Sequence, residues 1–313
     1  MYYNPALVIA FGLGVGILVG MTGIGGGALM TPLLVLFVGT PLVTAVGTDL
    51  AYGAVTKTVG GYKHWRQGTI DFGLSKWMAF GSVPAAVCGV YVVGLLEHSL
   101  GGQAFDRIML HMLAGAIGFT GAVTLIRAIF LRQLIARERD TVEMRARHKI
   151  AAVVLGVSVG FVLGITSAGS GSLIALGLIM IFRLSPHRVV GTDVFHAAIL
   201  LWAAAIAHVI AGNVDYLLAG TILIGSVPGV WIGSHMSVRL PAGTLRTVLG
   251  VVLIGAAMGL GAKAGLPIPK EAIAAVPCVL AAIVLWQRFR DRVPRAVADT
   301  VAREPAAPVR KVQ

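Results

Sequence analysis

The chain has 313 residues, of which 57% are hydrophobic and only 12% charged, and its mean hydropathy of +0.88 excludes a soluble globular protein of that length. A formal net charge of +12 would point a soluble chain toward nucleic acid. Here the basic residues crowd the ends of apolar segments, so they read as topology signals in a membrane protein with no nucleic-acid partner.

The first segment, "MYYNPALVIAFGLGVGILVG", has no Lys or Arg ahead of its apolar stretch and no small-residue cleavage site, so it is expected to remain in the membrane among lipids. It leads into "GMTGIGGGALMTP" (20–32) and then a second arm of about 15 residues, short for a full crossing. The unit 5–39 is predicted to be a broken helical hairpin whose ends lie on one side. Spans follow near 41–62, 72–95 and 107–131, then the basic stretch "LRQLIARERDTVEMRARHK" and a second hairpin over 150–184. Further spans are predicted near 187–209, 216–238, 242–262 and 271–288, before a basic, disordered tail. The expected organisation is a first membrane repeat over 1–131, a cytoplasmic loop over 132–149, a second repeat over 150–265, an extra C-terminal helix over 266–290 and a cytoplasmic tail over 291–313.

Two stretches of the chain repeat. An ungapped shift of 144 residues brings "GMTGIGGGALM" (20–30) onto "GITSAGSGSLI" (164–174), and "VGTD" (46–49) onto "VGTD" (190–193). His64 falls on His208, Asp71 on Asp215, and "GSVP" (81–84) on "GSVP" (225–228). Alternating the spans outward from the basic loop turns the two halves upside down to one another. That assignment puts 21 of the 25 Lys and Arg inside, leaves Arg107, Lys263 and Lys270 outside, and puts Lys57 within a span. The predicted fold class is therefore all-α and polytopic: two inverted repeats, each opening with a broken hairpin, plus the extra span. The N-terminus is outside and the C-terminus in the cytoplasm.

Such hairpins bring their breaks toward each other near the bilayer midplane. Irregular backbone at that depth persists only where protein or a water-filled cavity satisfies its polar groups. The second arm of each hairpin begins just after its break, so its free N–H groups and positive dipole end point at the meeting place and favour an anion. The candidate binding residues are Thr22, Gly23, Gly25, Gly26 and Gly27 in the first break, and Thr166, Ser167, Gly169, Ser170 and Gly171 in the second. Glycine lets the backbone approach a ligand, and the hydroxyls donate without adding charge. The competing reading makes these glycines small residues for close helix contact, as at Gly12, Gly16 and Gly20 and their copies Gly156, Gly160 and Gly164.

Asp49 and Asp193 each lie about 12 Å into a span. An aspartate at that depth carries a proton, binds a co-transported cation such as Na+, or caps a helix interrupted at the preceding glycine. Lys57 and Arg127 lie about one turn from span ends and read as snorkelling side chains. His64 and His208 read as interfacial, and Asp71 and Asp215 as caps. Pro84 and Pro228 read as kinks, and Cys88 and Cys278 as small packing residues. "GVSVG" (156–160) and "GIGGGA" (23–28) fit hydrolase and dinucleotide patterns without the surrounding strand-turn-helix or βαβ context. No metal-binding or cofactor motif is present, and no nucleophile-base pair points to an enzyme.

"TGIGGGALMTPLLVL", "VGTDL" and their second-half copies resemble the TauE/SafE family of sulfite exporter-like membrane proteins over roughly residues 5–262. The resemblance implies transport of a small sulfur oxyanion or organosulfonate across a bacterial cytoplasmic membrane, with the site at 22–27 and 166–171. The second copy departs by having Ser167, Ala168 and Ser170 where the first has Gly23, Ile24 and Gly26. A secondary transporter working by alternating access is the expected function, with H+ or Na+ coupling through Asp49 or Asp193. An anion channel using the same donors is the alternative.

Overall fold

A computed structural model describes residues 3–22, 27–130, 139–236, 242–283 and 286. Among these the chain is helical, without strands. The first hairpin comprises α1 (Pro5–Thr22) and α2 (Gly27–Leu33), the latter continued by one π-helical stretch, Leu34–Val38. Next come α3 (Leu42–Arg66), α4 (Phe72–Leu100) and α5 (Gly102–Phe130). The second half repeats the order: α6 (Ala146–Thr166), α7 (Ser170–Met180), α8 (Pro186–Ile210), α9 (Tyr216–Met236) and α10 (Ala242–Lys263). Residues 270–283 form a further helix, α11, whose Pro277 packs beside Gly255 of α10. Six helices (α4, α5, α6, α8, α9, α10) are long and apolar enough to cross a membrane, and large side chains such as Phe80, Phe119, Leu217 and Trp231 face outward, as lipid contact requires. The protein is a multi-pass membrane protein.

The two halves interlock. α1 packs along α9 and α6 along α4, and the close contacts recur at the 144-residue offset. A Cβ on Gly12 would strike the carbonyl of Ile222, and one on Gly156 that of Met78; Gly16 and Gly160 meet Ser226 and Ser82 in the same way. The small-residue reading of these glycines therefore holds, because each permits backbone-to-backbone approach that no side chain allows. α4 and α9 continue through Pro84 and Pro228. Cys88 and Cys278 are free thiols on the outer surface, not interior packing residues.

The VGTD motifs form a second reciprocal lock. Asp71 caps α4 by accepting from the Leu74 N–H at 2.9 Å, and its own N–H donates to Thr192 Oγ1 at 2.9 Å. Asp215 accepts from Leu218 at 2.9 Å and donates its N–H to Thr48 Oγ1 at 3.0 Å. Gly47 and Gly191 admit the backbones of Asn213 and Thr69, again 144 residues apart. The predicted caps at Asp71 and Asp215 are present. The alternative in which Gly47 or Gly191 interrupts a helix is overturned, since α3 and α8 run unbroken through both motifs.

α3 and α8 cross antiparallel at the centre, with Gly53 beside Leu201 and Gly60 beside Val194. Equal steps along the two helices place the middle of the crossing at Val55 and Ile199. Asp49 thus lies about 9 Å to one side of it and Asp193 about 9 Å to the other.

Candidate functional site

The second break is built by two left-handed residues. Ser167 (φ 58°) ends α6, its N–H bonding Leu163 O, and Gly169 (φ 102°) precedes the first turn of α7. The chain thereby reverses within three residues, and the first N–H groups of α7 are left without intrahelical acceptors. Thr166 donates to Val162 O at 2.7 Å and accepts from the Ala168 N–H at 3.2 Å, so its hydroxyl shapes the break rather than facing outward from it. Gly171 lies buried in the first turn of α7, and Ser170 begins it.

Ser167 Oγ donates to Asp49 Oδ2 at 2.7 Å, and Thr31 Oγ1 of α2 donates to the same oxygen at 2.5 Å. One fully buried carboxylate thus joins the first hairpin, the α3 crossing helix and the break of the other half. Asp49 Oδ1 has no partner among the described residues. The capping alternative for Asp49 does not describe it, because it faces this cluster from within a continuous helix. Thr31 was not among the residues singled out from the sequence; its one signal was a hydroxyl at a position whose copy is Ala175.

α5 supplies a polar face to the same break. Thr120 Oγ1 is buried without a partner among the described residues, and a Cβ on Gly169 would lie 3.7 Å from it. One turn on, Thr124 shares a 2.8 Å hydrogen bond with Ser172 of α7, and Arg127 follows on the same face. His208, in the last turn of α8, is fully buried and donates to Gly164 O at 3.2 Å, which replaces the interfacial reading. His64 is half-buried beside Thr69, 3.0 Å from its hydroxyl. The Ser167–Asp49 and Gly164–His208 contacts place the second break on the Asp49 side of the α3–α8 crossing, not at its middle.

Gly23, Gly25 and Gly26 lie outside the described residues. Thr22 and Gly27 are described only as the last residue of α1 and the first of α2. The structure therefore describes one of the two breaks and the aspartate it meets. Asp193 is buried on the other side of the crossing, where Lys57 and Arg127 are the cations acting on it. Both are buried, at 7% and 5% exposure, so neither head reaches water by snorkelling.

A family model described as "Sulfite exporter TauE/SafE" matches residues 8–260. The chain is 39% identical over 250 residues to "Probable membrane transporter protein YjnA" of Bacillus subtilis (strain 168), covering 79% of this chain and 96% of that protein. It is 30% identical over 235 residues to "Probable membrane transporter protein YdhB" of the same organism, covering 75% and 91%. No solved structure matches.

Proposed function

This chain belongs to the sulfite exporter TauE/SafE family of membrane transporters, and we propose that it is a secondary transporter, not an enzyme, moving a small sulfur oxyanion or organosulfonate by alternating access. The observation that carries this reading is the second break itself. A buried helix N-terminus without a side-chain cap lies beside the Thr120 hydroxyl, which has no partner among the described residues, and against the Asp49 carboxylate of the other half. Free amides and an unpaired hydroxyl in a nonpolar interior are complementary to oxyanion oxygens. By the 144-residue offset in the sequence, Thr22 to Gly27 are the proposed counterpart in the first half.

Antiparallel packing of α3 on α8, which are copies of each other, supports an inverted repeat: a two-fold relating antiparallel helices runs perpendicular to them, in the membrane plane. The charge balance of the loops supports a cytoplasmic membrane location with the 139–149 side inside. Asp49, held by two hydroxyls and with one oxygen unpartnered among the described residues, is the proposed place for the coupling H+ or Na+.

The test is counterflow in proteoliposomes with sulfite, thiosulfate, sulfoacetate and sulfate. The carrier gives saturable uptake that accelerates when unlabelled anion is trapped inside. Thr31→Val, which removes a hydrogen bond to a buried carboxylate, is expected to lower exchange by about tenfold. Currents without counterflow would make the protein a channel, and absence of protein-dependent flux for every anion would refute the reading.

A further inference from the structure

On the Asp193 side of the crossing, three cations gather with one carboxylate. Lys57 lies two residues past the α3 midpoint, about 3 Å toward Asp193 along the helix. The other two meet across the α5–α10 contact. Gly121 sits beside Leu253 and Gly250 beside Leu125, so the antiparallel register brings Arg127 level with the turn that carries Arg246. The charges of Lys57 and Arg127 act on Asp193, and that of Arg246 acts on Arg127. α3 and α5 end, and α8 and α10 begin, on this one side of the molecule.

The cluster is not internally satisfied. Lys57 Nζ, Arg127 Nε and Nη1, Arg246 Nε and Asp193 Oδ1 are all buried, and none has a hydrogen-bond partner among the described residues. Among the described residues, three positive charges stand with one negative charge on this side, leaving +2. Buried guanidinium and ammonium groups without acceptors are costly, and the deficit is of acceptor oxygens and negative charge together. Lys57 and Arg127 are buried, whereas Arg246, one turn into α10, is half-buried.

We propose that Lys57, Arg127 and Arg246 form a second anion station on the 139–149 side, in which Asp193 is a built-in counter-charge that leaves the cations' donors open to an incoming oxyanion. Lysine gives a point charge and the two arginines planar donor sets, a combination suited to several oxygens on one small ion. The net +2 favours a dianion over a monoanion. None of the three cations is duplicated: their copies are Leu201, Glu271 and Gly102. The station therefore belongs to one face of the membrane only, and gives a transporter with two related halves unequal affinity on its two sides. The inference extends the transport reading by naming where the anion waits before it reaches the break.

The experiment uses the full purified chain in detergent and reads its thermal midpoint in sodium sulfite and sodium thiosulfate against sodium chloride at matched ionic strength. Wild type is expected to be stabilised by the oxyanions, with Arg127→Gln and Lys57→Met each weakening the apparent affinity by about tenfold or more. Asp193→Asn is expected to do the opposite. Without the repelling carboxylate the station binds up to about tenfold more tightly, because the incoming anion no longer meets a buried like charge. Arg127→Lys, which keeps the charge, is expected to fold and retain most of the response. If Arg127→Gln yields no folded protein, Arg246→Gln at the half-buried position carries the same expectation. The station is refuted if wild type gains no oxyanion-specific stability, if the cation variants respond like wild type, or if Asp193→Asn loses the response together with them. Wild-type counterflow separates the two readings: flux with unchanged variants overturns the station alone, and anion binding without flux overturns the transporter alone.

Discussion

Asp49 and Asp193 stand at the same place in VGTDL and VGTDV, each six residues from the α3–α8 crossing. Asp49 nevertheless accepts two hydroxyls, whereas Asp193 Oδ1 has no hydrogen-bond partner among the described residues and its electrostatic neighbours are Lys57 and Arg127. The difference lies in a few side chains. Thr31 is copied as Ala175, and Ser167 aligns with Gly23, so neither hydroxyl has a counterpart on the Asp193 side. The cations in turn have no counterpart near Asp49. The framework shows the reverse behaviour: Gly12 and Gly156, Thr48 and Thr192, and Asp71 and Asp215 keep their identities and make equivalent contacts. Geometry is thus shared between the halves while charge is not.

The largest effects should come from the shared part and be equal in both halves. Gly16→Val and Gly160→Val each drive a side chain into the backbone of Ser226 or Ser82. Neither helix can yield without separating from its mate, so a cost above about 3 kcal/mol is expected. Both variants should give little monodisperse protein on size-exclusion chromatography. A folded Gly160→Val beside an unfolded Gly16→Val would break the symmetry of the framework.

Next in size is the reciprocal lock. Thr48→Val leaves the part-buried N–H of Asp215, and Thr192→Val the buried N–H of Asp71, without its acceptor. A loss of about 1–3 kcal/mol is expected from each, measured as a lowered thermal midpoint, and the two losses should agree closely. Unequal losses would mean that the loop over 139–145 matters, since Val142 N–H also bonds Asp71, at 3.3 Å, and no such bond to Asp215 occurs among the described residues.

Much of the scaffold was readable in the sequence because hydropathy and glycine placement report depth and close approach directly. The spans, the reversal at 166–171 and the offset between halves all emerge from these patterns. Asp49 stands out in the sequence because a carboxylate at that depth demands partners. Its partners do not. Thr31 is one hydroxyl in an apolar run, and only the third dimension brings it to α3. Lys57 and Arg127 were misread for a related reason. Distance along a helix places them one turn from a membrane surface, but whether they snorkel depends on which face they occupy, and α3 and α5 turn those faces toward α8 and α10. His208 was misread likewise: it ends a span in sequence but is covered by α6.

The smallest expected effect separates backbone from hydroxyl at Ser167. Its φ of 58° is left-handed, a conformation that costs a residue with a Cβ about 1 kcal/mol relative to glycine. Its hydroxyl is bonded to Asp49. Ser167→Ala removes the hydroxyl and keeps the strain, whereas Ser167→Gly removes both and installs the residue found at the aligned position, Gly23. If the hydroxyl serves transport through Asp49, the two variants should lose counterflow equally while Ser167→Gly stays about 1 kcal/mol more stable to thermal unfolding than Ser167→Ala. Activity that instead follows stability, with Ser167→Gly near wild type, would mean that the turn alone matters at this position. The contrast between the two aspartates would then rest on Thr31 and the cations.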